Sequence, residues 1–222
     1  IRFLQKGDVM KLMAMSMNDK EAELARLMFI FSCFTGLAIS DMENLKYKHI
    51  QTAADGQMYI RKERQKTKVE FVVPLHPIAE AIISHCWNAQ ARNEEQQTVN
   101  EKGDSLVFQP HCSRSVMGKD LSIVGKACGI RQRLSYHVAR HTFGTMSLSA
   151  GIPIESIAKM MGHASISSTQ VYAQVTDRKI SEDMDRLIAK YKAKDKNITN
   201  AKTNTKTIPL VVNSNDRKEE TA

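Results

Sequence analysis

The chain has 222 residues, which is long enough for one sizeable hydrophobic core, with or without a polar tail. Its 32 Lys and Arg residues outnumber 24 Asp and Glu, and the net charge of +8 favours a polyanionic partner without excluding an ordinary basic protein. The sequence contains no long apolar run and no signal peptide, which argues against a membrane-spanning or secreted protein. We therefore expect a cytoplasmic protein.

The cysteines and histidines form no recognisable disulfide or metal pattern. No CxxC pair occurs among the cysteines, which are Cys33, Cys86, Cys112 and Cys128. Residues 85–86 and 111–112 are His-Cys doublets, but adjacent residues on a helix point in different directions. His137 and His141 have the spacing of metal ligands, yet the sequence offers no third ligand. We expect no metal and no other cofactor.

The N-terminal region predicts two helices. Asp8–Met17 indicates a short one, and Lys20–Phe34 indicates a longer one that Asn18 or Asp19 caps and Gly36 ends. Apolar residues cover most of the circumference of the second helix, so we expect it to be central and buried. Because the chain begins on Ile1 in ordinary sequence, without a methionine, we interpret it as a fragment.

A basic β-hairpin is expected after a short helix that Ser40 and Glu43 would start as a capping box. Tyr59–Arg61 and Val69–Val73 alternate in the manner of strands, and Pro74 closes the second of them. The turn between the strands is cationic, with Arg64, Lys66 and Lys68.

The remainder of the chain predicts mainly helices. The polar run 92–104 is expected to be a loop, and Leu106–Phe108 a short strand. Helices are expected from Pro77 to about Asn93, from Ser115 or Lys119 to near Gly129, from the His137 region to Gly151, from Pro153 to Gly162, and around Tyr172 with Ser167 and Gln170 as its capping box. A last amphipathic helix has an apolar stripe of Ile180, Met184, Leu187, Ile188 and Tyr191. The polar tail 196–222 is expected to be disordered, apart from 208–212.

Candidate chemistry is concentrated between Ser135 and Tyr172. His137 and Arg140 are three residues apart, so on a helix they share a face and can point at one ligand. An arginine fork fits a phosphate, and histidine moves protons near neutral pH. A tyrosine hydroxyl brought to the same phosphate is a nucleophile. This pattern indicates a site that attacks a nucleic-acid backbone.

The segments His137-x-x-Arg140, Gly162-His163 and Tyr172 resemble the catalytic signature of the tyrosine recombinases, the phage integrase family. Phe34-Thr-Gly-Leu37 is similar to the Thr-Gly-Leu box of that family, and Lys66, eight residues before Pro74, is similar to its hairpin lysine. The resemblance covers about residues 8–190. It implies a mainly α fold with a small antiparallel β-sheet, of the tyrosine recombinase catalytic-domain type, over residues 1–195. It also implies that an N-terminal core-DNA-binding domain is absent from this fragment.

One position departs from the family pattern, because Ala38 stands where an arginine is expected. A subgroup of integrases from bacterial conjugative and mobilisable elements is similar in lacking that arginine. We interpret Arg26 as its replacement, since a guanidinium on an apolar helix face needs an anionic partner. That face also contains Ala22, Phe29, Ile30 and Cys33. The alternative is a structural ion pair between Arg26 and a carboxylate such as Asp41 or Glu43.

The resemblance implies a site-specific recombinase that integrates or excises a mobile element. Tyr172 would attack a DNA phosphodiester, form a 3′-phosphotyrosyl bond and expel a 5′ hydroxyl, without ATP or metal. Arg140 and Arg26 would hold the phosphate oxygens. Lys66 would protonate the leaving group, His137 would assist proton transfer, and His163 would hydrogen-bond the phosphate.

Other residues near these motifs have different expected roles. Tyr136 and Tyr191 are rival nucleophiles that we interpret as packing residues. Contacts with DNA backbone or solvent are expected from Arg131, Arg133 and His141.

The expected partners are double-stranded DNA, further copies of the chain in a tetramer on paired sites, and accessory DNA-bending factors. We expect the last amphipathic helix to dock on a neighbouring protomer. Three alternatives remain open: a helix-turn-helix regulator built on residues 154–172, a degenerate recombinase that binds without cutting, and a type IB topoisomerase.

Overall fold

The computed structural model describes residues 1–91, 103–109, 113–172, 184–185 and 187–189. This part of the chain is mostly helical, as expected, and the elements named below belong to one compact unit, Ile1–Gln174. The helices before the sheet are α1 (Lys6–Ala14), α2 (Lys20–Thr35) and α3 (Ile39–Glu43). Those after it are α4 (Pro77–Ala91), α5 (Arg114–Ala127), α6 (Tyr136–Ser149), α7 (Ile154–Met160) and α8 (Ser167–Gln170). None of the described helices is both long and apolar enough to cross a membrane.

The centre of the core is α2. Asp19 caps it by accepting a hydrogen bond from the backbone N–H of Ala22 at 2.9 Å. Ten of its 16 residues are buried, and α4, α5 and α6 pack around it. Gly36 ends it in the left-handed conformation, with φ 69°. A Cβ atom at this position would lie 2.4 Å from Cδ1 of Phe143, so only glycine fits between α2 and α6. The prediction of a central helix ended by Gly36 is confirmed.

A three-stranded antiparallel sheet of order β1-β2-β3 lies between α3 and α4 in the chain. Its strands are β1 (Ile50–Thr52), β2 (Met58–Glu63) and β3 (Glu70–Pro74). Ile60 pairs with Val73, and both side chains are completely buried. The predicted hairpin is confirmed. The sequence did not reveal β1, because three residues are too short for an alternating pattern to stand out.

Several local predictions were wrong. Neither expected capping box forms: α3 starts at Ile39 and α8 at Ser167, and side-chain caps are absent from both N-termini. The chain enters α3 two residues earlier than expected and α8 one residue earlier, so each serine lies inside the first turn. Leu106–Phe108 is not a strand. Only Leu106 makes a bridge, with Lys46, while the next two residues are buried in the core.

The predictions for the C-terminal region can be compared with the structure at only a few positions. Met184, Leu187 and Ile188 are helical and have exposed fractions of 54%, 46% and 43%. The polar tail 196–222, its apolar segment 208–212 and Tyr191 lie outside the described residues.

Candidate active site

The candidate site is built on α6. Ser135 caps this helix, its hydroxyl accepting a hydrogen bond from the backbone N–H of Val138 at 3.3 Å. His137, Arg140, His141 and Gly144 are three or four residues apart, so they lie on neighbouring positions of one side of the helix. Arg140 is buried, with an exposed fraction of 6%, whereas His137 is exposed.

Neutral carbonyl groups anchor the guanidinium of Arg140. Nη1 donates to the carbonyl of Gly36, and Nη2 donates to the carbonyl of Met161 at 2.6 Å. The ion pairs among the described residues do not include Arg140. Burial, followed by the charge of Arg64, lowers the pKa of Arg140 to about 10. The loop after α2 and the end of α7 therefore both converge on this buried charge, and neither neutralises it.

The ring of Tyr172 lies directly on α6, two residues beyond the end of α8. A Cβ atom at Gly144 would be 2.8 Å from ring carbons of Tyr172, so the tyrosine occupies space that only glycine leaves. Tyr172 is 9% exposed, and its hydroxyl is 2.9 Å from Nδ1 of His141. Burial raises the pKa of Tyr172, and the charges of Arg140 and Arg64 oppose that rise. The phenol is therefore neutral at pH 7 and is hydrogen-bonded to an imidazole.

His141 is the titratable side chain hydrogen-bonded to the Tyr172 hydroxyl, and in the tautomer with an unprotonated Nδ1 it is a proton acceptor for that hydroxyl. Burial, followed by the neighbouring His137, lowers the pKa of His141 to about 4, so its ring is neutral at pH 7 and one nitrogen carries a lone pair. The His137 and His141 rings are 4.1 Å apart, centroid to centroid. We had expected His141 to contact DNA backbone or solvent. Its contact with Tyr172 depends on how α8 returns to α6, and the only signal for it in the sequence is its place one turn after His137.

His163 lies beside Arg140. Gly162 turns the chain at the end of α7 with φ 60°, and Nδ1 of His163 is 2.7 Å from the hydroxyl of the buried Thr169. Burial, followed by the charges of Arg140 and Arg64, lowers the pKa of His163 to about 4. Its ring is consequently neutral at pH 7, and one of its nitrogens is already occupied.

The tip of the β2–β3 hairpin is fixed to the same turn. Nη1 of Arg64 and the hydroxyl of Thr67 both donate to the carbonyl of Gly162, at 3.3 Å each. Lys66 lies between these two anchored residues and is exposed. The hairpin lysine is therefore held near His163 by the residues on either side of it.

The interpretation of Arg26 as the replacement for the missing arginine is not supported. Its Nε and Nη2 donate to the carboxylate of Glu23 at 2.8 and 2.6 Å, and its Nη1 donates to the carbonyl of Leu12 at 2.6 Å. Glu23 precedes Arg26 on α2, so the guanidinium points toward the start of the helix. Gly36, whose carbonyl accepts from Arg140, lies ten residues after Arg26, which is roughly 15 Å along the helix axis. Arg26 therefore forms a structural pair, and with Glu23 instead of Asp41 or Glu43.

Two further features bear on the site. The Tyr136 hydroxyl donates to the carbonyl of Ala25 at 3.3 Å, and burial raises the pKa of that buried phenol, so Tyr136 packs against α2. A cavity of about 560 Å³ adjoins His137 and His141, and its basic lining residues are Arg2, Arg114 and Arg133. Among the described residues there is no group of three or more His, Cys, Asp or Glu placed to hold a metal ion.

The fold is that of recombinase catalytic domains. The catalytic domain of bacteriophage HP1 integrase superimposes with a TM-score of 0.57 at 19% identity, covering 83% of this chain and 94% of that domain. XerH site-specific recombinase bound to palindromic difH substrate superimposes with a TM-score of 0.63 at 18% identity, covering 82% of this chain and 52% of XerH.

Residues 2–179 match the phage integrase family, and the chain belongs to that family. A tyrosine recombinase of Pseudothermotoga lettingae is 25% identical over 188 residues, which are 84% of this chain and 60% of the relative. XerC of Yersinia pestis is 25% identical over 172 residues, which are 76% of this chain and 53% of the relative. The chain thus spans between about half and three fifths of the length of these curated relatives.

Proposed function

We propose that this chain carries the catalytic part of a site-specific recombinase, which breaks and rejoins double-stranded DNA and so integrates or excises a mobile element. The observation that supports this most directly is the hydrogen bond between Tyr172 and His141, at 2.9 Å, one residue from the buried cation Arg140. A proton acceptor and a phosphate ligand on α6 are thereby gathered beside a nucleophile that packs against the same helix.

The first step is attack of the Tyr172 oxygen on a DNA phosphorus. The new bond is a 3′-phosphotyrosyl ester, the bond to the 5′ oxygen breaks, and a later attack by a 5′ hydroxyl reverses the step. A phenol with pKa near 10 is ionised in only about one molecule per thousand at pH 7, which costs roughly 4 kcal/mol. Burial raises the pKa of Tyr172 further, so its proton must leave during attack. His141 accepts that proton through Nδ1, and the exposed His137 beside it assists.

The remaining groups act on the phosphate. Arg140 stabilises charge on the non-bridging oxygens, where it increases in the transition state. In the tautomer that this role requires, the Thr169 hydroxyl donates to Nδ1 of His163, and Nε2–H donates to a phosphate oxygen. Lys66, on the hairpin tip anchored to Gly162, gives a proton to the departing 5′ oxygen.

Double-stranded DNA is the proposed partner. XerH, whose fold is similar, is bound to its difH substrate in a post-cleavage complex. The cavity beside His137, lined by Arg2, Arg114 and Arg133, offers positive charge to a DNA backbone. We propose a tetramer on paired sites and accessory DNA-bending factors by analogy with the family. A helix-turn-helix regulator is the weaker candidate, because α8 has four residues and is too short to serve as a recognition helix.

The test is a search for a covalent protein–DNA adduct. The chain, at high concentration, is mixed with a pool of duplexes of random sequence, each nicked so that a cleaved 5′-hydroxyl strand is short and diffuses away. We expect adducts that survive denaturant, from which sequencing recovers the preferred duplex and mass spectrometry locates the nucleotide on Tyr172.

Matched tyrosine variants complete this experiment. Tyr172→Phe should form no adduct while still binding DNA. Tyr136→Phe loses only the hydrogen bond to Ala25 and should form as much adduct as the unaltered chain. If the unaltered chain forms no adduct, or if Tyr172→Phe forms one, the proposed function is wrong.

A further inference from the structure

Arg64 begins the turn between β2 and β3, and its guanidinium binds the backbone carbonyl next to one that Arg140 binds. Nη1 of Arg64 donates to the carbonyl of Gly162 at 3.3 Å, and Nη2 of Arg140 donates to the preceding carbonyl, that of Met161, at 2.6 Å. Two cations therefore bind consecutive peptide groups, immediately before His163. Their closeness is also visible in the pKa of Arg140, which burial lowers to about 10 with the charge of Arg64 as the next cause.

Positive charge exceeds negative charge in this cluster. The side chain of Arg64 is 14% exposed, and its buried Nε atom has no hydrogen-bond partner among the described residues. The carboxylate paired with Arg64 is Asp41, whose Oδ2 is 3.6 Å from Nε and whose Oδ1 accepts from the backbone of Gln65 at 2.7 Å. Arg64 and Arg140 contribute two positive charges and Asp41 one negative charge, which leaves one positive charge. A buried excess charge is costly unless a ligand neutralises it.

We propose that Arg64 is a second ligand of the scissile phosphate, which lies between Arg64 and Arg140. This inference rests on the proposed function. A phosphodiester supplies the single negative charge that the cluster lacks, and the transition state places more charge on the same oxygens. Nη2 of Arg64, to which the described residues offer no hydrogen-bond acceptor, is the donor available to one non-bridging oxygen, while Arg140 serves the other.

The position of Asp41 explains how an arginine of the hairpin serves this site. The backbone N–H of Asp41 donates to the carbonyl of Ala38 at 3.0 Å, so Asp41 lies within one turn of the residue where the family resemblance implies an arginine. Asp41 is 1% exposed and aligns Arg64 from that side, while Gly162 aligns it from the other. The guanidinium missing at Ala38 is thus supplied from another element of the fold, next to the same turn.

A purely structural role for Arg64, anchoring the hairpin tip, is the competing explanation. Thr67 provides the matched control, because its hydroxyl donates to the same Gly162 carbonyl at the same distance, 3.3 Å. Thr67→Val weakens the anchor without changing charge. Arg64→Ala weakens the anchor and also removes a positive charge.

The experiment measures the single-turnover rate of adduct formation on the duplex recovered by the selection above. The duplex is prepared with an ordinary scissile phosphate and, separately, with each of the two isomers of a methylphosphonate at the same position. In a methylphosphonate a methyl group replaces one non-bridging oxygen, so the group is uncharged. We expect Arg64→Ala to be slower by about a hundredfold on the phosphate and by less than about tenfold on the methylphosphonate. Thr67→Val should lose the same small factor on both. Arg64→Lys, which keeps the charge, should fall between the two variants on the phosphate and replaces Arg64→Ala if the latter does not fold.

The outcomes separate the two proposals. If the unaltered chain forms no adduct on either substrate, the proposed function fails. If the unaltered chain forms adduct but the Arg64 variants are slower by an equal factor on both substrates, Arg64 is only an anchor and the inference is overturned. The inference is likewise overturned if the Arg64 variants are as fast as the unaltered chain.

Discussion

Arg26 and Arg140 are two buried arginines of nearly equal exposure, 7% and 6%, in opposite surroundings. Arg26 makes two hydrogen bonds to the carboxylate of Glu23, so its charge is matched within α2. Arg140 donates to the carbonyls of Gly36 and Met161, and the charge with the largest effect on its pKa is that of another cation, Arg64. Burial therefore does not distinguish a ligand-binding arginine from a structural one. What distinguishes them is whether the acceptors around the guanidinium carry a negative charge.

The largest predicted effect contrasts these two arginines directly. Arg140→Gln should slow adduct formation by on the order of a thousandfold, because a preorganised charge on the phosphate is lost. Arg26→Gln should change the rate by less than about threefold when both are assayed well below their unfolding temperatures, since its guanidinium does not face the site. Single-turnover kinetics on the selected nicked duplex measure both. A rate loss in Arg26→Gln as large as that in Arg140→Gln would remove the distinction.

The next prediction concerns the residue that follows Arg140. His141→Gln removes the acceptor 2.9 Å from the Tyr172 hydroxyl and should slow adduct formation by about a hundredfold. Without that acceptor, the rate should rise about tenfold per pH unit above neutrality, because ionisation of the buried phenol now depends on solvent hydroxide. The unaltered chain should show a flat profile over the same range. If both chains have the same profile, His141 is not the proton acceptor.

The sequence was informative where local chemistry decides the outcome. Asn18 or Asp19 and Gly36 marked the ends of α2, and the spacing of Arg140, His163 and Tyr172 identified residues that the fold does gather beside α6. For Arg26 the signal was present but overlooked, because Glu23 lies three residues earlier on the same helix face.

The contacts that sequence reasoning missed join distant segments. The Arg64 side chain contacts Gly162, 98 residues away, and the periodicity of neither segment indicates that pairing. The sequence therefore identified Arg64 only as one charge of a basic turn. Likewise, the contact between His141 and Tyr172 spans 31 residues and requires α7 and α8 to fold back over Gly144.

Substitutions at two glycines test how Tyr172 packs on α6, the helix that carries Arg140. Gly144→Ala places a Cβ atom 2.8 Å from the Tyr172 ring, so the tyrosine must shift and adduct formation should slow by about tenfold or more. Gly118→Ala on α5 is the control, because a Cβ atom there meets nothing within 4 Å. It should leave the rate unchanged and stabilise the fold by about 0.5–1 kcal/mol. Equal rates in the two variants would show that the position of Tyr172 on α6 does not matter.

Stability measurements test whether Arg26 and Glu23 form a structural ion pair. Arg26→Met should lower the free energy of unfolding by about 2 kcal/mol, somewhat below the range for fully buried pairs because the Glu23 side chain is 23% exposed. Adding Glu23→Gln to Arg26→Met should recover part of that loss, since the carboxylate is then no longer left without its partner. Urea unfolding measures both variants. Strictly additive losses would mean that the two side chains are not coupled.

The last prediction concerns how the free energy of unfolding depends on pH. We expect Arg140 to contribute to this dependence through the pKa of His163, and Arg26 not to contribute. Burial and nearby cations lower the folded-state pKa of His163 to about 4, whereas the unfolded value is near 6.5. Between these values the unfolded chain binds more protons, so the free energy of unfolding falls as the pH drops from 6.5 to 4. His163→Gln should make this decline shallower, and the exposed His85→Gln on α4 serves as its control.

Arg140→Gln should also make the decline shallower, because the Arg140 charge is the second cause of the shift, after burial, in the pKa of His163. Arg26→Gln should leave the slope unchanged, since the charge of Arg26 does not contribute to that shift. Urea unfolding at a series of pH values compares these slopes. The same slope in Arg140→Gln as in the unaltered chain would mean that the buried charge of Arg140 does not act on His163, and the contrast between the two arginines would then rest on hydrogen-bond partners alone.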